Sequence, residues 1–220
     1  MNTLKLPSQI VASYFPKHSI AVLSGPNFAE EVSRNMPAAT LIASNKIATS
    51  KKIATIVQTK LFRPYVSDDV IGSQIAGATK NVYAIACGVV EGKKFGKNAV
   101  ASIISRSFAE VSRLNKSMRA KPETLSGLSG MGDLFLTCSS KKSRNFKLGL
   151  DLASGMSLSS IIKKNSSIAE GVFTARALKQ MSLKKKLNLP IAETVYQILY
   201  RKKNIDHAIE ELLNRPIGRE

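Results

Sequence analysis

Cysteine and histidine are scarce in this chain, and acidic residues are outnumbered. Two cysteines occur in 220 residues. Neither Cys87 nor Cys138 stands in a CxxC or Cys/His spacing, so no disulfide framework or zinc ribbon is readable, and both are expected to be reduced, buried thiols in a cytoplasmic protein. His18 and His207 have no Asp, Ser or Cys at an informative spacing, so neither a nucleophile relay nor a metal-ligand cluster is expected. The opening residues lack the apolar core segment of a secretory leader. Residues 70–90 form the one apolar stretch long enough to cross a bilayer, yet it carries Gln74, Lys80 and Asn81 near its middle. A central lysine costs about 2.5–3.5 kcal/mol on insertion, so a buried helix is expected there and no membrane span.

The acidic deficit is large: 33 Lys plus Arg face 15 Asp plus Glu, a net charge of +18. Such a balance often marks nucleic-acid or membrane-surface binding. Here the charge is spread out. The densest patches are Lys141, Lys142, Arg144 and Lys147, then Lys184, Lys185 and Lys186, then Arg201, Lys202 and Lys203, and none carries a recognisable nucleic-acid motif. The expectation is therefore a solvated basic surface that draws in small anions, with no nucleic acid as partner. Binding to nucleic acid rests on net charge alone, and steeply salt-dependent binding to random duplex would be its sign.

The length fits one or two domains. Up to about residue 70 the pattern alternates: strands at Ser19 to Leu23, Thr40 to Ala43 and Phe62 to Val66, with helices from about Asn27, over Asn45 to Thr59, and opened by Asp68 and Asp69. This is the texture of a parallel α/β sheet. Beyond Ile71 only helical stripes recur. They are Val100, Ile103, Ile104, Phe108, Val111 and Leu114; Val172, Ala175, Leu178 and Met181; Val195, Ile198 and Leu199; and Ile205, Ala208, Ile209, Leu212 and Leu213. The fold class expected is an α/β, partial Rossmann-like segment followed by an all-α domain, divided near residue 72 into 1–72 and 73–220.

Between Val70 and Val90, Lys80 is the only charged residue. An ammonium in that setting either snorkels along its stem to solvent or is partly desolvated, which disfavours its charged form and lets it act as a base. The small and polar neighbours Gly77, Ala78, Thr79 and Asn81 leave room for a ligand.

Five segments occur in order: SGPNFAEE from Ser24, GATKN from Gly77, GMGDLFLTCSS from Gly130, SRN from Ser143 and AEG from Ala169. As a set they resemble the bacterial NAD(P)-dependent sn-glycerol-3-phosphate dehydrogenases, over nearly the whole chain. The resemblance implies a helical domain like that of 6-phosphogluconate dehydrogenase and a reaction between sn-glycerol 3-phosphate and dihydroxyacetone phosphate, feeding glycerophospholipid synthesis, with NAD or NADP as cofactor and a homodimer possible. It makes Lys80 the proton-transfer residue. It places substrate contacts at Gly25, Asn27, Lys80, Asp133, Ser143, Arg144 and Asn145, and cofactor contacts at Ala29, Arg144, Ile168 and Glu170. Asn27 departs from the small hydroxyl residue usual there. Thr137, one turn beyond Asp133, is a supporting candidate if that segment is helical.

The residues carry part of this unaided. Alcohol oxidation needs a base for the hydroxyl proton, and a guanidinium suits bidentate contact with phosphate. Asp133 after Gly132 also reads as a helix N-cap, SRN as a solvated loop, and Ile168 to Gly171 as an ordinary helix start. No GxGxxG fingerprint, whose amides hold a dinucleotide pyrophosphate, occurs in the sequence. In the family resembled it lies in the first third of a longer chain, so this chain is expected to match the remaining two thirds. A non-catalytic helical module or gene remnant, and a related 2-hydroxyacid dehydrogenase, are the alternative readings. NAD and NADP are not distinguished.

Overall fold

The computed structural model describes residues 4–164 and 168–217. The chain forms two compact units: one comprises the chain up to Lys80 with Val111–Thr137, the other Asn81–Glu110 with the chain from Cys138 onward.

In the first unit, helix α1 (Pro7–Tyr14) precedes strand β1 (Val22–Ser24), the five-residue helix α2 (Ala29–Ser33), β2 (Ala38–Ala43), α3 (Ile47–Val57) and β3 (Phe62–Ser67). The sheet order is β1-β2-β3. β2 and β3 are parallel, with Ala38 opposite Phe62 and Ala43 opposite Ser67, as expected for a β-α-β unit bridged by an amphipathic helix. β1 corrects the expectation of a uniformly parallel sheet, because it runs antiparallel to β2, with Val22 opposite Ala43. A parallel return needs a crossover over the sheet face. Here α2 is barely more than a turn, and Asn35 at φ +55° sends the chain back on itself. Ile42 and Ala43 on β2 are fully buried.

Helix α4 (Val70–Gly92) opens beside Asp69, whose Oδ1 accepts from Gly72 N at 2.9 Å while Oδ2 accepts from Lys121 N at 2.8 Å. One carboxylate thus supplies acceptors for the exposed amides of two helix starts, that of α4 and that of α6 (Pro122–Ser126). After α5 (Lys97–Ser117) and α6, a single π-helical turn (Leu128–Gly132) leads directly into α7 (Asp133–Ser139). The turn depends on Gly130, where a Cβ would lie 1.9 Å from the Leu125 carbonyl oxygen.

Every regular element described after β3 is helical, as the stripes implied. The second unit adds α8 (Arg144–Ala153), α9 (Leu158–Lys164), α10 (Glu170–Lys185), α11 (Pro190–Arg201) and α12 (Ile205–Leu213). Val172, Ala175 and Leu178 on α10 and Val195 and Leu199 on α11 are buried. Full burial of each larger side chain contributes about 1.5–3 kcal/mol. Leu213 departs from its stripe and is exposed, leaving Ile205, Ala208, Ile209 and Leu212 as the inward face of α12. The burial of Glu110 on α5 was not foreseen. Its carboxylate accepts from Ile191 N at 2.7 Å and Ala192 N at 3.2 Å, capping α11 from another helix.

Helices α4 and α8 meet backbone to backbone. A Cβ on Gly88 would lie 2.1 Å from the Phe146 carbonyl oxygen, and one on Gly149 would lie 2.2 Å from that of Ile85. Neither neighbour is a flexible side chain that can swing away. Gly88→Ala should therefore cost about 3 kcal/mol or more, at the upper end of overpacking penalties. Gly132→Ala, whose Cβ would meet nothing nearer than 3.6 Å, should stay within about 1 kcal/mol of wild type. Urea denaturation of the two variants measures the contrast, and equal midpoints would refute it.

Candidate functional site

The side chain of Lys80 does not snorkel. Its Nζ lies 2.5 Å from Asp133 Oδ2, with the lysine side chain 22% exposed and that of Asp133 4%. The small residues around Lys80 on α4 allow the ammonium to stay against the protein, and the π turn delivers Asp133 at the first position of α7. Asp133 is therefore an ion-pair partner and not the N-cap it could have been. Thr137, one helical turn on, donates to Asp133 Oδ1 at 3.4 Å, which places both on one face as the spacing implied. Burial holds the Asp133 carboxyl above its ordinary value, and attraction to Lys80 and the hydrogen bonds from Lys80 and Thr137 offset this only in part.

Lys80 and Asp133 line a pocket of about 400 Å³ whose other walls include Ser24, Gly25, Asn27 and Gly77. Gly25 is needed for its backbone: φ is +153°, and a Cβ would press to 3.2 Å on Thr40 Cα. Asn27 donates through Nδ2 to Thr40 Oγ1 at 2.9 Å, and Thr40 Oγ1 donates to the Ser24 carbonyl at 3.3 Å. That sequence of donors fixes the amide, and Asn27 Oδ1 has no partner among the described residues. In the sequence Thr40 is only a strand residue, since nothing local to it signals a role in this wall. Ala29 stands exposed at the start of α2, outside the pocket lining.

The SRN triplet is a helix start. Ser143 is the N-cap of α8, its Oγ accepting from Phe146 N at 3.3 Å, and it is buried. Arg144 is exposed, 3.7 Å from the Glu170 carboxylate. Asn145 is buried, donating through Nδ2 to Asn81 Oδ1 at 2.9 Å and accepting at Oδ1 from Gly171 N at 2.8 Å. Asn81 in turn donates to Glu170 Oε2 at 3.1 Å. Arg144 and Ile168 border a second pocket of about 180 Å³ with an apolar floor that includes Leu148, Ile161 and Val172. The structure thus joins the triplet to the start of α10 through Asn81, a residue that the sequence marked only as a polar neighbour of Lys80. An anion would find the first amides of α8, the positive end of its dipole and a guanidinium together.

Among the described residues no three His, Cys, Asp or Glu side chains gather as metal ligands, and no helix is long and apolar enough to cross a membrane. The raised Asp133 value has a consequence for stability. A carboxyl raised on folding contributes stability that is complete below its unfolded value, near 3.8, and is lost as pH rises through the folded value. Asp133→Asn removes this dependence. Its stability relative to wild type should therefore improve from pH 4 to pH 7, and denaturant unfolding at both values measures the change. A constant difference would show that Asp133 does not titrate abnormally.

Comparison with known proteins places the chain in a family. The family model described as NAD-dependent glycerol-3-phosphate dehydrogenase C-terminus matches residues 69–210, and its N-terminus counterpart matches residues 1–50. A glycerol-3-phosphate dehydrogenase [NAD(P)+] of Caulobacter vibrioides is 47% identical over 99% of this chain, and that of Parvibaculum lavamentivorans 44% identical over the full chain; each alignment covers 66% of the relative. The crystal structure of glycerol-3-phosphate dehydrogenase from Coxiella burnetii superposes with a TM-score of 0.94 at 36% identity, covering 97% of this chain and 66% of that one. The chain spans just under two thirds of the length of these relatives. It belongs to the NAD-dependent glycerol-3-phosphate dehydrogenase family.

Proposed function

We propose that this chain supplies the substrate and proton-transfer residues of an NAD(P)-dependent glycerol-3-phosphate dehydrogenase, which interconverts sn-glycerol 3-phosphate and dihydroxyacetone phosphate for glycerophospholipid synthesis in the cytoplasm. The observation that carries the reading is the half-buried Lys80 ammonium, held at 2.5 Å by a buried carboxylate in the wall of an open pocket. In reduction the Lys80 ammonium gives a proton to the carbonyl oxygen; in oxidation, once that proton has passed to solvent, the free amine takes the hydroxyl proton. Asp133, steadied by Thr137, orients the ammonium and receives the substrate hydroxyl. Gly25 and Asn27 shape the same wall.

The phosphate end is assigned to the start of α8. Arg144 provides the fork, Asn145 and the first amides of the helix provide further donors, and Ser143 secures the turn. The nicotinamide group, when bound, accepts or donates the hydride. The residues present suit its ring and ribose: Arg144, Ile168 and Glu170 are accessible, and the first two border an apolar pocket. Ala29 is the fourth assigned contact. NAD and NADP are both accommodated by this reading. The division near residue 72, between a dinucleotide-binding part and a helical part, and assembly as a homodimer belong to the same proposal.

Two substitutions test the assignments, made in a cofactor-competent form of the protein. Lys80→Ala should lower turnover about a hundredfold or more, the usual scale of general acid–base contributions, while the melting curve remains cooperative because alanine suits a helix. Near-normal turnover would remove Lys80 from the mechanism.

Arg144→Lys should raise KM for the phosphorylated substrate by at least about tenfold, the scale of a charge-assisted contact, because an ammonium cannot reproduce the planar fork. Unphosphorylated glycerol should be affected far less. Steady-state kinetics with both compounds separate the cases, and equal losses would move Arg144 away from the phosphate.

A further inference from the structure

An amide side chain has an oxygen face and a nitrogen face, and its hydrogen-bond partners decide which one a ligand meets. Two amides in the helical unit are linked so that each has a single orientation. At one end stands the Glu170 carboxylate, which only accepts. It takes a proton from Asn81 Nδ2 at 3.1 Å, which turns Asn81 Oδ1 toward Asn145, and Asn145 Nδ2 donates to that oxygen at 2.9 Å. At the other end stands the Gly171 backbone N–H, which only donates, and it reaches Asn145 Oδ1 at 2.8 Å.

The two amides are enclosed, while the Glu170 carboxylate is exposed. Asn81 and Asn145 are each 6% exposed, and a Cβ on Gly171 would lie 2.6 Å from Asn145 Oδ1 and 2.6 Å from the Asn81 carbonyl oxygen. The nitrogen of Asn145 carries a second N–H. Its residue is the second of α8, next to Arg144, so this donor belongs to the same helix start as the proposed phosphate contacts. The carboxylate that anchors the link is also the one 3.7 Å from Arg144.

We propose that Asn81 is a positioning residue for the anion site. It holds the Asn145 amide with its nitrogen toward a phosphoryl group, and Glu170 holds both Asn81 and Arg144. The proposal rests on the reading of the α8 start as the phosphate site. A charged end polarises the bonds along such a link, which strengthens the donor it presents.

The test uses the full chain and inorganic phosphate as the probe, followed by nitrogen–proton NMR of backbone and side-chain amides. In the wild type the Asn145 side-chain resonances should shift with phosphate. Asn81→Ala should bind phosphate about tenfold more weakly, the scale of one hydrogen bond to a charged group, and should lose the Asn145 shift. Asn81→Asp keeps the oxygen facing Asn145 but sets a like charge against Glu170, and should weaken binding similarly. Adding Glu170→Gln, which can donate to Asp at position 81, should restore affinity to within about twofold of the Glu170→Gln single variant, a rescue that loss of packing would not produce. If Asn81→Ala fails to fold, the Asn81→Asp variant and its rescue decide. Phosphate affinity unchanged by Asn81→Asp, or no rescue, would overturn the proposal. A wild-type chain that does not bind phosphate would overturn the phosphate reading and this inference with it, whereas a wild type that binds with an equally tight, folded Asn81→Ala would overturn the inference alone.

Discussion

Burying an ammonium and a carboxylate costs several kcal/mol per ion, and their attraction repays it only when they meet in good geometry with further hydrogen bonds. Lys80 and Asp133 meet that condition at 2.5 Å, with Thr137 as a further donor to the carboxylate. Much of the first unit serves the meeting. The small residues of α4 keep the lysine stem against the protein, and the π turn, dependent on Gly130, starts α7 with Asp133 in its first turn. Burial still holds the Asp133 carboxyl high. Stability alone would favour an apolar pair of similar volume, so a charged pair retained in a pocket wall points to chemistry.

The same economy of acceptors recurs at the helix starts. Asp69 serves α4 and the chain entering α6, Glu110 caps α11 from α5, and Asn145 caps α10 from α8. Each lies far in sequence from at least one amide it satisfies. A buried acceptor of this kind closes the orphaned donors of a helix and ties two segments together. One of these ties lies at the start of α8, where Ser143 caps, Arg144 projects and Asn145 is fixed. That helix start brings a guanidinium and a fixed amide to the positive end of a helix dipole.

The charge imbalance is sharpened by burial. Asp69, Glu110 and Asp133 are buried, which withdraws acidic groups from an exterior already dominated by Lys and Arg. A positive exterior raises the rate at which any phosphorylated compound encounters the chain.

The sequence by itself determined the class of architecture, because alternation in the first 70 residues and 3.6-residue stripes afterwards follow from which faces must be buried. It also singled out Lys80, since one charge in 21 apolar or neutral residues is a local anomaly readable without a structure. The ordered motifs then identified the family. Tertiary structure alone decided the direction of β1, because that depends on how far α2 carries the chain before Asn35 reverses it. It alone decided that Asp133 pairs with Lys80 instead of capping a helix, and that Glu110, one Glu on an otherwise ordinary amphipathic helix, is buried as a cap. Asn81 stayed illegible for the same reason. An amide becomes informative only through its partners, and those of Asn81 lie 64 and 89 residues away, a separation that no local pattern records.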